Sequence, residues 1–284
     1  MLDRVDRVQL AVTDAEKAAQ RFTALLGATE ARRAPSTFLN AQRIVMSLGE
    51  SEVELCQPRG AGPVRDYLDR FGEGLMRGGL SSPDLARLRV RLIEKGARVV
   101  EDGDQLYLGP PDTFGLDLVL SPSRARQRVG PVSFLYEITN ALASDWRQAA
   151  ARYVDLFGLD QNRFSPIKSS RFGYTGTLTM FDPPARLDRI ELSQANDPQF
   201  AMGRFVRKRG DSLYMCYCEV HDLPDILARM EREGARITAR GPDIKAEKDG
   251  IWVHPASLHG LLLGVSRTTV AWQWSGRPEL FRAA

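Results

Sequence analysis

One short unit is written four times along this chain, and that repetition constrains the fold more than any single motif does. Each copy opens on an aspartate, runs through an amphipathic stretch and closes on a glycine: Asp14 to Gly27, Asp84 to Gly96, Asp145 to Gly158 and Asp222 to Gly234. An aspartate side chain can accept the orphan N–H groups at a helix start, and a glycine can take the left-handed conformation that ends one. The spacings are 13, 12, 13 and 12 residues, so odd copies match odd copies and even copies match even ones. That alternation predicts two copies of a two-part domain. The even copies also share the Gly-Ala-Arg that follows, at Gly96 and at Gly234.

In the first helix Ala18, Ala19, Phe22, Leu25 and Leu26 fall on one face, and β-type sequence such as Val5 to Val12 precedes it. Strand candidates follow each helix: Arg43 to Leu48 and Glu52 to Cys56, Gly115 to Leu120, Thr177 to Phe181 and Arg189 to Leu192, and Leu261 to Val265. Each unit therefore reads strand, helix, then about three strands. The aperiodic stretch Ser121 to Val132 is the expected linker. This divides the chain into a domain over 1–122, a domain over 131–268 and a tail over 269–284, whose Trp272, Trp274 and Phe281 are expected to fold back onto the body.

Composition narrows the function classes. The 284 residues are 43% hydrophobic and 26% charged, enough for two ordinary cores. A net charge of +3 with interspersed signs gives no reason to expect nucleic acid, and the basic run Arg204 to Arg209 reads as a loop. Three cysteines, Cys56, Cys216 and Cys218, are too few for a disulfide framework and point to a reducing compartment. No apolar run reaches membrane-spanning length and no signal peptide is expected, so the cytoplasm is the expected location. Phosphate-loop and nucleophile-elbow patterns are absent, and Gly72-Glu-Gly-Leu-Met-Arg77 is not followed by a dinucleotide-type helix.

Three segments carry a resemblance: Val5-Asp-Arg-Val-Gln-Leu-Ala-Val-Thr-Asp14, Gly72-Glu-Gly-Leu-Met-Arg77 and His254-Pro-Ala-Ser-Leu-His-Gly-Leu-Leu-Leu-Gly264. With them the chain resembles the vicinal oxygen chelate superfamily, which includes glyoxalase I, methylmalonyl-CoA epimerase, bleomycin resistance proteins and extradiol dioxygenases. The resemblance runs from Val5 to Val265 and implies an α+β fold: four βαβββ modules paired into two tandem domains with open, barrel-like mixed sheets. It also implies a divalent metal held by His and Glu. At the corresponding positions this sequence has Arg7, Glu54, Arg77 and Val119 in the first half, and Glu137, Glu191, Met215 and Gly264 in the second. Guanidinium has no lone pair to give a cation. No cofactor is therefore expected, with a divalent ion on Glu137, Glu191 and His254 as the weaker alternative. One extra residue before Asp145 leaves the strand register around Glu137 open.

Period two places Arg7, Gln9 and Ala11 in the first cavity with Glu54 and Arg77, either as an anion clamp or as a charge cluster filling a vestigial site. The second half holds the richer set. Glu137 or Glu191 as general base, with His254 or a tyrosine as partner acid, would serve proton transfer beside a carbonyl. Tyr136, Asn140, Tyr214, Met215, Tyr217, Glu219 and His259 are the expected substrate-binding residues. The plainer reading pairs Glu191 with Arg189, makes His254 a hairpin residue and His259 a turn residue, and leaves His221 on the surface. The expected function is isomerase or lyase chemistry on a small carbonyl, hydroxy-acid or acyl-thioester compound, by a protein that forms a homodimer. The alternatives are non-catalytic sequestration of a small molecule and an extradiol-like dioxygenase with an atypical metal site.

Overall fold

The computed structural model describes residues 1–181, 188–240, 250–267 and 275–276. Its first half runs β1 (Arg4–Ala11), α1 (Ala15–Leu26), β2 (Thr29–Ser36), β3 (Ala41–Leu48), β4 (Ser51–Pro58), α2 (Pro63–Phe71), β5 (Gly74–Ser82), α3 (Leu85–Glu94), β6 (Val99–Asp102), β7 (Gln105–Leu108) and β8 (Leu118–Pro122). The second half repeats it: β9 (Val132–Leu142), α4 (Trp146–Phe157), β10 (Ser165–Ser169), β11 (Tyr174–Met180), β12 (Arg189–Ala195), α5 (Ala201–Arg209), β13 (Ser212–Val220), α6 (Leu223–Arg232), β14 (Ile237–Ala239), β15 (Gly250–Val253) and β16 (Leu263–Arg267). Each half forms one mixed eight-stranded sheet, in the orders β2-β3-β4-β1-β5-β8-β7-β6 and β10-β11-β12-β9-β13-β16-β15-β14. The fold is thus α+β, with four βαβββ modules in two tandem pairs.

The aspartate-to-glycine units are the helices α1, α3, α4 and α6. Asp14, Asp84, Asp145 and Asp222 each accept a backbone N–H of the first turn, from Lys17, Arg87, Arg147 and Asp225. The alternating spacing has a local cause. Helices α1 and α4 have 12 residues and stop directly on left-handed Gly27 and Gly158. Helices α3 and α6 have 10 residues and cap on Lys95 and Glu233, one place before left-handed Gly96 and Gly234.

The halves are packed into each other through these helices. Arg91 of α3 donates to the carbonyls of Asp155 and Leu156 at the end of α4, at 3.0 and 3.1 Å. At the equivalent place on α6, Arg229 reaches the Ala24 carbonyl near the end of α1. Cations at helix C-termini also meet the negative end of the dipole. One buried apolar cluster runs through both halves, including Phe22, Leu88, Ile138, Phe157 and Ile226.

Two tight turns complete the exchange. Gly115 and Gly260 both sit at φ +82, and a Cβ on them would lie 1.9 Å from the Asp211 carbonyl oxygen and 2.0 Å from that of Glu73. Each turn therefore presses a side-chain-free backbone on the residue just before the middle strand of the other half. Gly115, expected to open a strand, belongs to this turn, and β8 starts only at Leu118. The basic run Arg204 to Arg209, expected as a loop, is the C-terminal part of α5, whose Met202 and Val206 are buried one turn apart. Trp272, Trp274 and Phe281 lie outside the described residues. No helix among the described residues is long and apolar enough to cross a membrane.

Gly260→Ala will destabilise the protein more than Gly234→Ala, as read from urea-unfolding midpoints. Gly234 has open space around it and pays only left-handed strain of about 1 kcal/mol. Gly260 must in addition displace the Glu73 backbone.

Candidate functional site

The pairing registers of β1 with β4 and of β9 with β12 let the two halves be compared position by position. Arg7 faces Glu52 and Gln9 faces Glu54 in the first half; Glu137 faces Arg189 and Thr139 faces Glu191 in the second. Glu54 and Glu191 are therefore the same position in two copies, and so are Arg7 and Glu137. The extra residue before Asp145 falls after the equivalent positions Ala11 and Ala141, which are followed by two residues before Asp14 but by three before Asp145; a β-bulge lies earlier in the strand. Tyr217 pairs with Glu137 while Cys218 pairs with Leu135, so Tyr136 is the unpaired residue. β1 carries the same irregularity at Asp6.

In the first half a charge cluster fills the interior. Glu54, fully buried, accepts from Arg7 at 2.6 Å, Arg43 at 2.9 Å, Gln9 at 2.8 Å and Gln105 at 2.7 Å. Arg7 also meets Asp6 at 2.7 Å and Glu52 at 3.1 Å. Burial alone would raise the Glu54 carboxyl, but Arg7 and Arg43 bring it down to about 2. Buried charges persist in this way when paired and fully hydrogen-bonded. Arg77, expected to meet Glu54, instead bonds Asp117 at 3.2 Å and lies over the rings of Phe38 and Tyr107. The cleft beside it holds about 230 Å³.

The second half keeps the position of Glu54 and loses its partners. Arg7, Gln9, Arg43 and Gln105 correspond to Glu137, Thr139, Gly176 and Gly250, as the strand registers show. Two long polar side chains have become glycines, and this half holds a cavity of about 730 Å³. Glu191 lines it, partly exposed. Ser193 Oγ donates to its Oε1 at 2.5 Å. Glu137 lies within hydrogen-bonding reach but is itself claimed by Arg189, whose Nε sits 2.5 Å from Oε2. Burial first, and the neighbouring Glu137 carboxylate second, raise the Glu191 carboxyl well above its ordinary range. Burial and a like charge thus favour the protonated form of Glu191, where two guanidiniums favour the ionised form of Glu54.

Aromatic rings make the rest of the wall. Trp252 Nε1 donates to Tyr217 Oη at 3.1 Å and stacks edge-on with Phe172, while Phe205 packs on Tyr214 at 4.8 Å. Tyr217, buried beside Glu137 and Glu191, is also raised and stays protonated. From the first half, Tyr67 and Glu73 reach the same cavity.

Of the expected site residues, Glu191, Tyr214, Met215, Tyr217 and His254 line this cavity. His254 bonds Thr238 Oγ1 through Nε2 at 2.7 Å. Tyr136 is buried behind the wall, with its hydroxyl 3.0 Å from Ser266 Oγ and its ring under the Arg189 guanidinium. Asn140 points the other way, donating to the Phe114 carbonyl at 2.8 Å, because it shares a strand face with Ile138. Glu219 is buried further along β13 and does not line the cavity. His259 sits in the Gly260 turn with Nδ1 2.7 Å from Glu73 Oε2. Arg189 pairs with Glu137, not with Glu191, and His221 is exposed. Phe172, Phe205, Arg209 and Trp252 were not expected at the site. Phe205 and Arg209 could have been found had the four-residue spacing of Met202 and Val206 been read as a helix.

The residues at the positions that the resemblance gives to metal ligands do not fit a divalent ion. Glu137 is already paired with a guanidinium, the Glu191 carboxyl is pushed up by burial and by Glu137, Met215 offers a soft thioether and Gly264 offers no side chain. Among the described residues no three His, Cys, Asp or Glu side chains converge, so Glu137, Glu191 and His254 do not form one cluster.

Glu54→Gln will lower stability at neutral pH by about 3 kcal/mol, since Arg7 and Arg43 lose a buried counter-charge. The Glu54 carboxyl titrates at about 2, below its ordinary 4.5, so its contribution is present above that ordinary value and is lost as pH falls toward about 2. The gap between parent and variant, followed by urea unfolding, will close over that acid range.

Residues 6–108 match the family model described as Glyoxalase/Bleomycin resistance protein/Dioxygenase superfamily. A mutant of 4-hydroxymandelate synthase from Streptomyces coelicolor has a similar fold, with TM-score 0.73 at 15% identity over 94% of this chain and 93% of that one. A xylose isomerase-like TIM barrel/4-hydroxyphenylpyruvate dioxygenase fusion protein matches with TM-score 0.66 at 11% identity, over 94% of this chain and 49% of that one. Methylmalonyl-CoA epimerase from Mycobacterium tuberculosis matches with TM-score 0.40 at 22% identity, over 48% of this chain and 89% of that one. No curated protein sequence matches the chain. The first half thus resembles that superfamily in sequence over residues 6–108, and both halves together share the tandem fold of the 4-hydroxymandelate synthase structure.

Proposed function

We propose that this protein is an acid–base enzyme, an isomerase or lyase, that moves a proton next to the carbonyl of a small hydroxy-acid, carbonyl or acyl-thioester compound in its second cavity. The observation that carries this reading is Glu191: a carboxyl that faces the cavity, has lost every long donor its counterpart Glu54 retains, and is raised by burial and by Glu137. A carboxyl raised toward neutrality is suited to both halves of a proton transfer. Its ionised form takes a proton from the carbon beside the carbonyl, and its neutral form returns that proton to a neighbouring atom. Tyr217, protonated and supported by Trp252, is the donor proposed for the oxyanion that develops on the carbonyl. We assign the base role to Glu191 rather than to Glu137, whose carboxylate is engaged by Arg189. The three free, buried cysteines suit the reducing, cytoplasmic setting we assign to it.

A second reading, sequestration of a flat apolar compound without turnover, is favoured by the aromatic wall of Phe172, Phe205, Tyr214 and Trp252.

Incubating candidate compounds with the protein in deuterated water separates the two. The enzyme reading expects solvent deuterium at the carbon beside the carbonyl, with the rate falling at least about a hundredfold in Glu191→Gln. Compounds that bind and are recovered unlabelled and unchanged would overturn it in favour of sequestration.

A further inference from the structure

The equivalent helices α2 and α5 meet beside the second cavity and differ there by one charge. Each ends on a glycine of matching backbone, Gly72 at φ +75 and Gly210 at φ +73. Phe71 and Arg209 therefore hold the same place in the two copies, and so do Tyr67 and Phe205 one turn earlier. Across the junction Arg209 Nη1 donates to Tyr67 Oη at 3.0 Å, and the Tyr67 hydroxyl in turn donates to the Leu75 carbonyl at 2.9 Å. The guanidinium carbon lies 4.2 Å from the Phe71 ring centre, 5.2 Å from that of Phe205 and 5.7 Å from that of Tyr67. Where the first half ends its helix on a ring, the second sets a cation among three rings at the cavity wall.

Arg7, Arg43, Arg126 and Arg189 each meet a carboxylate inside the protein. Arg209 meets none among the described residues; the Tyr67 hydroxyl and the rings are its contacts. A guanidinium stacked on rings keeps its in-plane N–H donors available, and a carboxylate matches that planar fork with two parallel bonds. Rings around the charge also exclude water, which strengthens a charge-assisted bond made there. The other charges at the cavity wall are placed differently. Glu73 is already engaged by Thr13 and His259, Arg171 is exposed and rests on the Phe172 ring, and Arg240 neighbours Tyr174. We propose that Arg209 is a carboxylate subsite, the residue by which the second cavity selects an anionic compound whose apolar body lies against the aromatic wall. The proposal rests on the reading of this cavity as the ligand site and narrows its ligands to acids. It holds for turnover and for sequestration alike.

Two probes of one shape test this. 2-Naphthoate and 2-naphthamide differ in charge, and neither has a hydrogen on the carbon next to its carbonyl, so the measurement reads binding without turnover. Calorimetric titration of the full chain is expected to show the acid bound at least about tenfold more tightly than the amide. In R209Q the acid is expected to weaken to the level of the amide, while the affinity for the amide stays at its parental value. Equal affinities in the parent, a preference for the acid that survives R209Q, or no measurable binding of the acid would each overturn the proposal. Should R209Q fail to fold, R209K keeps the charge and loses the planar fork; the ratio of the two affinities must then fall below that of the parent, and an unchanged ratio overturns the proposal equally. Loss of the charge preference would leave Glu191 able to act on neutral carbonyl compounds, whereas failure of deuterium exchange at Glu191 would leave the carboxylate subsite intact, so the two readings fail separately.

Discussion

Everything distinctive about this protein depends on how a buried glutamate on the fourth strand of each half is compensated. The strand position is the same, but Glu54 is fully buried while Glu191 borders a cavity, and the local electrostatics are opposite. Glu54 receives two guanidiniums and two amides and is an ionised, inert part of a core. Glu191 receives a serine hydroxyl and, with burial and a neighbouring carboxylate, is a carboxyl raised above its ordinary range at the edge of a cavity. The side chains that would have paired Glu191 are replaced by glycines at 176 and 250, and Glu191 instead borders the second cavity.

This division of labour gives the two halves different tasks within one packed molecule. The first half is filled by charge pairs and lends Tyr67 and Glu73 to the cavity rim. Its Glu73 carries a double load, accepting from the Thr13 backbone at 2.7 Å and bonding His259 of the other half. The contact joins a helix entrance in one half to the turn that borders the cavity in the other. The arginine caps exchanged between α3 and α4 and between α6 and α1 serve the same end. A rigid scaffold under a site is what general acid–base geometry requires.

Much of the architecture could be read from the sequence because it is written locally. An aspartate cap and a left-handed glycine act within one turn, so four copies of Asp14-to-Gly27 spacing reported four helices. The exchange of the family's metal ligands was equally visible, since it concerns residue identity. What escaped depends on partners distant in sequence. Asn140 shares the strand face of Ile138 and gives its amide to the Phe114 carbonyl, a partner that only the other half supplies. Arg189 is two residues from Glu191 and was the natural partner for it in sequence, yet strand pairing brings Glu137 opposite instead. The helix α5 was masked by its own run of basic residues, and Arg209 at the cavity with it.

The central claim is that one of two equivalent glutamates is ionised and the other is not. The most direct measurement is an infrared difference spectrum at neutral pH in deuterated buffer, parent minus Glu191→Gln. A protonated-carboxyl stretching band assigned to Glu191 is the predicted result. A difference containing only ionised-carboxylate bands would contradict the account.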